Sequence, residues 1–420
     1  LKSKYFYGYN IVAAGFLIQA VCIGAMFTYG VFFKEFQVAF GWSRALISGA
    51  SSLAFLVMGA AGVLAGGLND RIGPRLIVMA SGASLGLGYL LMSQLSAPWQ
   101  LYVLYGILVG VGFATHDVIT LSTVTRWFVK RRGAMSGFVK VGTGFGQLVV
   151  PLAAAALIAA LGWRNAYLVI GAVALATMLA VAQLMRRDPQ QMGLHPDGGH
   201  HETGRSDLVS AGNGLNLKAA ARTWQFWIIC IAEFAVFFCM FTVIVHIVPH
   251  ARDQGLQPAA AAAVISTIGG VSMIGRVVMG AACDRIGGKR SLMVCFIIML
   301  CSILWLQVAA SAWMLFAFAV IYGFAHGGFF TVMSPTVAEL FGTGSHGLLF
   351  GLVLFSGTLG GALGPLLTGS LFDATGSYRT AFVMLTTLVA AGFVLISFLR
   401  PLGAAGSAPL LEPQPAGPNK

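Results

Sequence analysis

The chain predicts an all-α membrane protein with twelve transmembrane helices in two pseudo-symmetric six-helix bundles. Three observations carry that prediction. Of 420 residues, 58% are hydrophobic and 9% charged, with a mean hydropathy of +0.85, whereas a soluble chain carries about 25% charged residues. A water-soluble fold is excluded. Apolar runs of about 20 residues, each long enough to cross about 30 Å of hydrocarbon as a helix, recur from Tyr9 to Arg400. A sequence pattern in the first half also returns in the second at a constant offset.

Breaks at Gly, Pro and charged residues divide the apolar sequence into twelve spans: 9–33, 45–68, 76–95, 99–125, 133–160, 164–185, 225–248, 259–283, 291–309, 312–334, 347–372 and 378–400. The first is longer than a signal-peptide core and has no small-residue cleavage site after it, so it is expected to be a retained span. The long polar interruption from Arg186 to Arg222 splits the spans six and six. The expected organisation is a bundle over 1–185, a cytoplasmic linker over 186–222, a bundle over 223–400 and a disordered tail over 401–420, rich in Ala, Gly and Pro. His200 and His201 in the linker lack Cys or carboxylate neighbours at ligand spacing. No metal or cofactor site is expected. Cys22, Cys230, Cys239, Cys283, Cys295 and Cys301 all lie in apolar runs without a CxxC and read as reduced packing residues.

The net charge of +12 is explained by topology, not by nucleic acid. The side holding both termini and the even-to-odd connections collects 18 of the 25 Lys and Arg. That basic face is expected to be cytoplasmic, in a cell inner membrane. The opposite loops hold Lys34, Arg44, Arg164, Arg252 and Arg379, which leaves Lys140 and Arg276 inside spans.

The repeat is specific. Gly66-Gly67-Leu68-Asn69-Asp70-Arg71-Ile72-Gly73-Pro74-Arg75 after the second span is echoed by Gly280-Ala281-Ala282-Cys283-Asp284-Arg285-Ile286-Gly287-Gly288-Lys289 after the eighth, 214 residues on. Gly133, Gly137 and Pro151 in the fifth span match Gly347, Gly351 and Pro365 in the eleventh at the same offset. Two homologous halves around a central site are the plan of a rocker-switch transporter.

With this loop in both halves and twelve spans, the chain resembles the major facilitator superfamily. The resemblance implies gating roles for Asp70, Arg71, Arg75, Asp284, Arg285 and Lys289, which would lock the cytoplasmic side. The stretch Trp127-Phe128-Val129-Lys130-Arg131-Arg132-Gly133-Ala134-Met135-Ser136-Gly137, with Tyr7-Gly8-Tyr9 entering the first span, resembles the monocarboxylate transporters and the related oxalate/formate antiporters.

A charged group inside a span is unfavourable by about 2.5–3.5 kcal/mol even on the translocon scale, so each is a functional candidate. Four qualify: Asp117, Lys140, Glu233 and Arg276. Arg276 lies between Gly275 and Gly280 with no acid within a helical turn, and its planar fork suits a carboxylate. The resemblance implies the same role, an eighth-span Arg holding the substrate carboxylate. For Lys140 two readings stand, an ion pair with Asp117 or substrate contact. The eleventh span, Gly347 to Phe372, lacks the basic residue of the oxalate/formate antiporters. That favours a monoanion over a dicarboxylate.

Relative to the proton-coupled members it resembles, the chain has Phe27 and Ser272 where a Lys and an Asp are usual. Asp117, then Glu233, with His116 and His326, remain as proton carriers. His116 and Asp117, adjacent on one helix, are expected on different faces and not as a dyad. His246 and His250 are expected at the membrane interface. Phe27, Tyr322 and Phe355 are candidates to enclose an apolar substrate body, Tyr322 because a buried hydroxyl needs a partner. The function predicted is a secondary transporter of a small monocarboxylate of the lactate and pyruvate class, expected to be proton-coupled and to work as a monomer in the lipid bilayer. The alternatives are a small-dicarboxylate antiporter of the oxalate/formate type and a non-transporting anion sensor. No nucleophile and base, metal cluster or phosphate loop points to an enzyme.

Overall fold

The structure is a computed structural model that describes residues 5–198 and 214–400. The expectations for His200, His201 and the tail over 401–420 lie outside the described residues. Among the described residues, twelve helices long and apolar enough to span a membrane follow in order. They are α1 Gly8–Phe40, α2 Arg44–Ile72, α3 Pro74–Met92, α4 Pro98–Trp127, α5 Arg132–Leu161, α6 Trp163–Ala182, α7 Trp224–Asp253, α8 Pro258–Ile286, α9 Gly288–Val308, α10 Ala312–Phe341, α11 His346–Thr375 and α12 Arg379–Ser397. Their flanks follow from the sequence. Ser43 accepts from the Leu46 N–H at the start of α2 and Thr223 from the Phe226 N–H at the start of α7, satisfying donors that a helix N-terminus leaves open. The repeat is visible in the backbone: Gly73 and Gly287, 214 residues apart, turn α2 into α3 and α8 into α9 with φ of 86° and 82°, a conformation that a side chain disfavours.

Two buried cores form. One is built from α1–α6; the other is built from α7–α12 and is joined by Leu121, Trp127, Met135 and Val139 at the basic ends of α4 and α5. Large apolar side chains such as Leu64, Leu152, Trp313 and Leu366 stand exposed on the outer surface, as lipid-facing helices require.

Part of the interdomain segment is ordered. Residues Pro189–Met192 and Pro196–Gly198 form short helical turns. Asp197 there accepts the N–H groups of Val129 and Lys130 at 2.9 and 2.8 Å. The entry to the expected linker is thus docked on the loop before α5.

The halves touch most closely at the basic face, where small residues let backbones meet. A methyl added at Gly133 would collide with the Gly280 carbonyl, and one at Gly66 with the Gly347 carbonyl. Farther along, the halves part. A cavity lined by Phe27, Phe55, Phe241, Ile265 and Thr143 lies between them, on the side of these close contacts away from the basic face, with its floor at the middle of the helices.

Candidate functional site

The floor is assembled from α4, α5, α8 and α10. α4 is irregular: its π-helical stretch Tyr102–Val109 is followed by a tightened segment at Ala114–Asp117, where Ala114 and His116 donate to the carbonyls three residues back. Irregular backbone at this depth is tolerated where it lines a cavity. The break turns two neighbours the same way: His116 Nε2 lies 3.3 Å from Asp117 Oδ2. This corrects the expectation that the two cannot form a dyad, which assumed an unbroken helix. His116 Nδ1 is 2.7 Å from the Phe113 carbonyl.

Asp117 is the hub of the first bundle. Lys140 donates its ammonium to Asp117 Oδ1 at 2.6 Å, and Gln19 Nε2 donates to the same oxygen at 2.8 Å. Thr143 donates to Gln19 Oε1 at 2.8 Å and fixes the amide's orientation. Of the two readings of Lys140, the ion pair is the one present. Lys140 is 2% exposed yet lines the cavity, and its ammonium stands 4.7 Å from the centre of the Phe330 ring, a cation–π contact.

Arg276 reaches the floor from the second bundle. It is 3% exposed, donates from Nη1 to the Lys140 carbonyl at 3.2 Å, and its guanidinium carbon lies 6.0 Å from the same Phe330 ring. Its Nε has no partner. No carboxylate among the described residues stands within ion-pair distance of it. Gly144 leaves room for the guanidinium; a methyl there would lie 3.2 Å from Nη1.

Glu233 is 2% exposed on α7, beside Gly357 of α11, and its Oε2 has no hydrogen-bond partner. His326 lines the cavity with Nδ1 unpartnered, its ring 5.2 Å from that of Phe330. Phe27 lines the open part and is 42% exposed.

Two expected pocket residues are elsewhere. Tyr322 is fully buried behind the floor, with its hydroxyl donating to the Met240 carbonyl at 3.3 Å and its ring stacked on Phe318. The hydroxyl that made it a candidate is satisfied by backbone. Phe355 packs between the halves, against the spot where Gly59 would carry a side chain. His246 sits at the far end of α7 against the Tyr378 hydroxyl and the Pro365 carbonyl, with His250 beside Gln254 and Tyr378.

At the basic face the repeated loop divides by residue type. Asp70 accepts the N–H groups of Gly347 and Leu348 at 3.0 and 2.9 Å, at the first turn of α11. Asp284 accepts those of Gly133 and Ala134 at 2.6 and 2.8 Å, at the first turn of α5. Both contacts cross between the halves and put a carboxylate on a helix N-terminus. The basic partners do not cross. Arg75 hydrogen-bonds Gln183 and Lys289 donates to the Ser397 carbonyl, tying α3 to the end of α6 and α9 to the end of α12. Arg71 and Arg285 are exposed. Arg126, which sequence reasoning passed over, donates to Asp70 at 2.5 Å. Being next to a basic loop, it was absorbed into the topological count.

The floor offers a deep guanidinium with unspent donors, next to a paired lysine, in a space of about 1270 Å³ counting its open mouth. That arrangement can bind a small anion. Among the described residues, no group of three His, Cys, Asp or Glu is placed to hold a metal, and the six cysteines are unpaired.

The sequence model of the Major Facilitator Superfamily matches residues 15–298 and 251–418. Monocarboxylate transporter 13 of Bos taurus is 30% identical over 97% of this chain and 92% of its own length. Monocarboxylate transporter 2 of Homo sapiens is 26% identical over 92% and 84%. Among solved structures, the proton:xylose symporter XylE with bound 6-bromo-6-deoxy-D-glucose superposes with a TM-score of 0.73 at 14% identity, covering 94% of this chain and 96% of that one. The human organic anion transporter MFSD10 gives 0.70 at 14% identity, over 93% and 99%. The chain belongs to the Major Facilitator Superfamily: it is a multi-pass membrane transporter related to the monocarboxylate transporters, and not an enzyme.

Proposed function

We propose that this member of the Major Facilitator Superfamily is a secondary active transporter of small monocarboxylates of the lactate and pyruvate class, driven by protons and working by alternating access. The observation that carries the reading is Arg276, a buried guanidinium at the cavity floor with a bare Nε and no acid partner among the described residues. A permanently charged group in that position needs an anion, and its planar fork matches a carboxylate. The relatives, named as monocarboxylate transporters, support the same class of cargo.

Lys140 bears on the dicarboxylate alternative. It lines the cavity, but its charge is already met by Asp117, so a monoanion completes the balance at the floor. For the proton, the reading moves from Asp117 to Glu233. Asp117 has both oxygens engaged. Glu233 has a bare oxygen in a buried wall, where a carboxyl is tolerated far better neutral than ionised. A monocarboxylate moved alone against an inside-negative potential loses about 2.3 kcal/mol per 100 mV, so accumulation needs a cation such as a proton. The excess of Lys and Arg on the closed face supports a cytoplasmic position for that face, which makes this state outward-facing, in an inner membrane.

Counterflow of labelled lactate, pyruvate, formate and oxalate in proteoliposomes tests the reading. Exchange of lactate and pyruvate, with oxalate rejected, is expected. An inward proton gradient should drive uphill uptake, and Glu233→Gln should keep exchange while losing accumulation. Failure of every monocarboxylate to exchange would overturn the reading.

A further inference from the structure

We propose that Asp117 sets the charge of the anion the site accepts: by holding Lys140, it leaves Arg276 as the cation open to substrate and so selects monoanions over dianions. This rests on the monocarboxylate reading of the same site.

The charged and titratable groups at the floor come from α4, α5, α8 and α10, with Glu233 of α7 buried behind the lining. Lys140 on α5 and Arg276 on α8 are positive. Asp117 on α4 is negative. His116 on α4 and His326 on α10 count as zero when neutral, and so does Glu233 on α7 while it carries its proton. The balance is one positive charge, which one carboxylate neutralises. Without Asp117 the same floor holds two, from side chains that both stand over the Phe330 ring and are joined through the Lys140 carbonyl, 3.2 Å from Arg276 Nη1. That is a dianion site latent beneath a monoanion site.

The restraint is built, not incidental. Asp117 Oδ1 receives Lys140 at 2.6 Å and Gln19 at 2.8 Å, Oδ2 faces His116 at 3.3 Å, and Thr143 holds Gln19 at 2.8 Å. All of these residues belong to α1, α4 and α5 of the first bundle, so the pair travels as one unit when that bundle tilts against the second. Arg276 travels with the other half. A carboxylate on Arg276 is therefore held from one side, while Lys140 stays occupied throughout the cycle.

Replacing Asp117 by Asn preserves the shape and an acceptor for Gln19 but frees the ammonium. Counterflow and ligand-induced thermal shift of the purified full-length protein, each with pyruvate and with malonate, provide the test. In Asp117→Asn the malonate-to-pyruvate preference should rise by about tenfold or more, the effect of one added charge-assisted bond. Lys140→Gln alone should lose pyruvate affinity, because Asp117 is then uncompensated near Arg276. Asp117→Asn with Lys140→Gln should regain pyruvate and still refuse malonate. An unchanged preference in Asp117→Asn overturns the proposal. If that variant does not fold, undiminished pyruvate binding by Lys140→Gln overturns it and a loss restored in the double variant supports it. A parent that exchanges monocarboxylates while the preference stays fixed sinks this inference alone. A parent that binds no monocarboxylate sinks the transport reading with it.

Discussion

The two carboxylates that bridge the halves at the basic face are related by the 214-residue repeat, yet they differ in their partners. Asp70 caps α11 through Gly347 and Leu348, and Asp284 caps α5 through Gly133 and Ala134. Only Asp70 among the two also holds a guanidinium. Arg126 lies 2.5 Å away with its side chain 4% exposed and, on its other side, 3.8 Å from Asp188. Under the repeat offset the place of Arg126 is taken by Leu340. A helix-capping carboxylate contributes on the order of 1 kcal/mol. A buried carboxylate whose removal strands a charge is worth several. The geometry of the contacts between the halves is therefore the same in both repeats, while only the first carboxylate is also held by a buried guanidinium of its own bundle.

Asp70→Asn should break the comparison most visibly. It leaves Arg126 buried without its nearest carboxylate, at a cost of about 3–5 kcal/mol to the first bundle, and it weakens the contacts to Gly347 and Leu348 that cross between the halves. Spin labels at the basic ends of α2 and α11 should report a wider distance distribution, while equilibrium anion binding persists. Converting Arg126 to Met as well should recover part of the loss. Gly347→Ala comes next, because its methyl would stand 2.5 Å from the Gly66 carbonyl and 2.8 Å from Asp70 Oδ1. Overpacking of this kind is unfavourable by about 1–3 kcal/mol, and labelling of a cysteine placed on the basic face should rise. Asp284→Asn should have a smaller effect in the same assay, about 1 kcal/mol. Smallest is Arg75→Ala. Its contact with Gln183 stays within the first bundle, so the gate equilibrium should move by less than about 1 kcal/mol. An effect of Arg75→Ala as large as that of Asp70→Asn would restore the gating role that the resemblance assigned to the basic residues.

The architecture was legible because a chain so poor in charge leaves few places for loops, and because Asp70 and Asp284 share a register that positive-inside topology does not explain. The deep charges were legible for the same energetic reason: Asp117, Lys140, Glu233 and Arg276 are each too unfavourable in hydrocarbon to be incidental. Neutral groups carry no such signal. Gln19 and Thr143, which fix Asp117, read as ordinary polar residues of a span. Aromatic positions are the weakest case. Phe330 serves as the platform for both cations and Tyr322 and Phe355 do not line the cavity, a distinction set by the rotation of α10 and α11. The His116–Asp117 contact was hidden by the break in α4, since helical periodicity presumes the helix continues.

The measurement closest to the central claim is the affinity of purified Arg276→Lys for lactate and pyruvate, set against the parent. Lysine keeps the charge and loses the planar fork, so affinity should fall by about tenfold or more, the range of a lost charge-assisted hydrogen bond, with the thermal unfolding midpoint of the empty protein little changed. Parental affinity in Arg276→Lys would contradict the account and remove Arg276 as the carboxylate anchor.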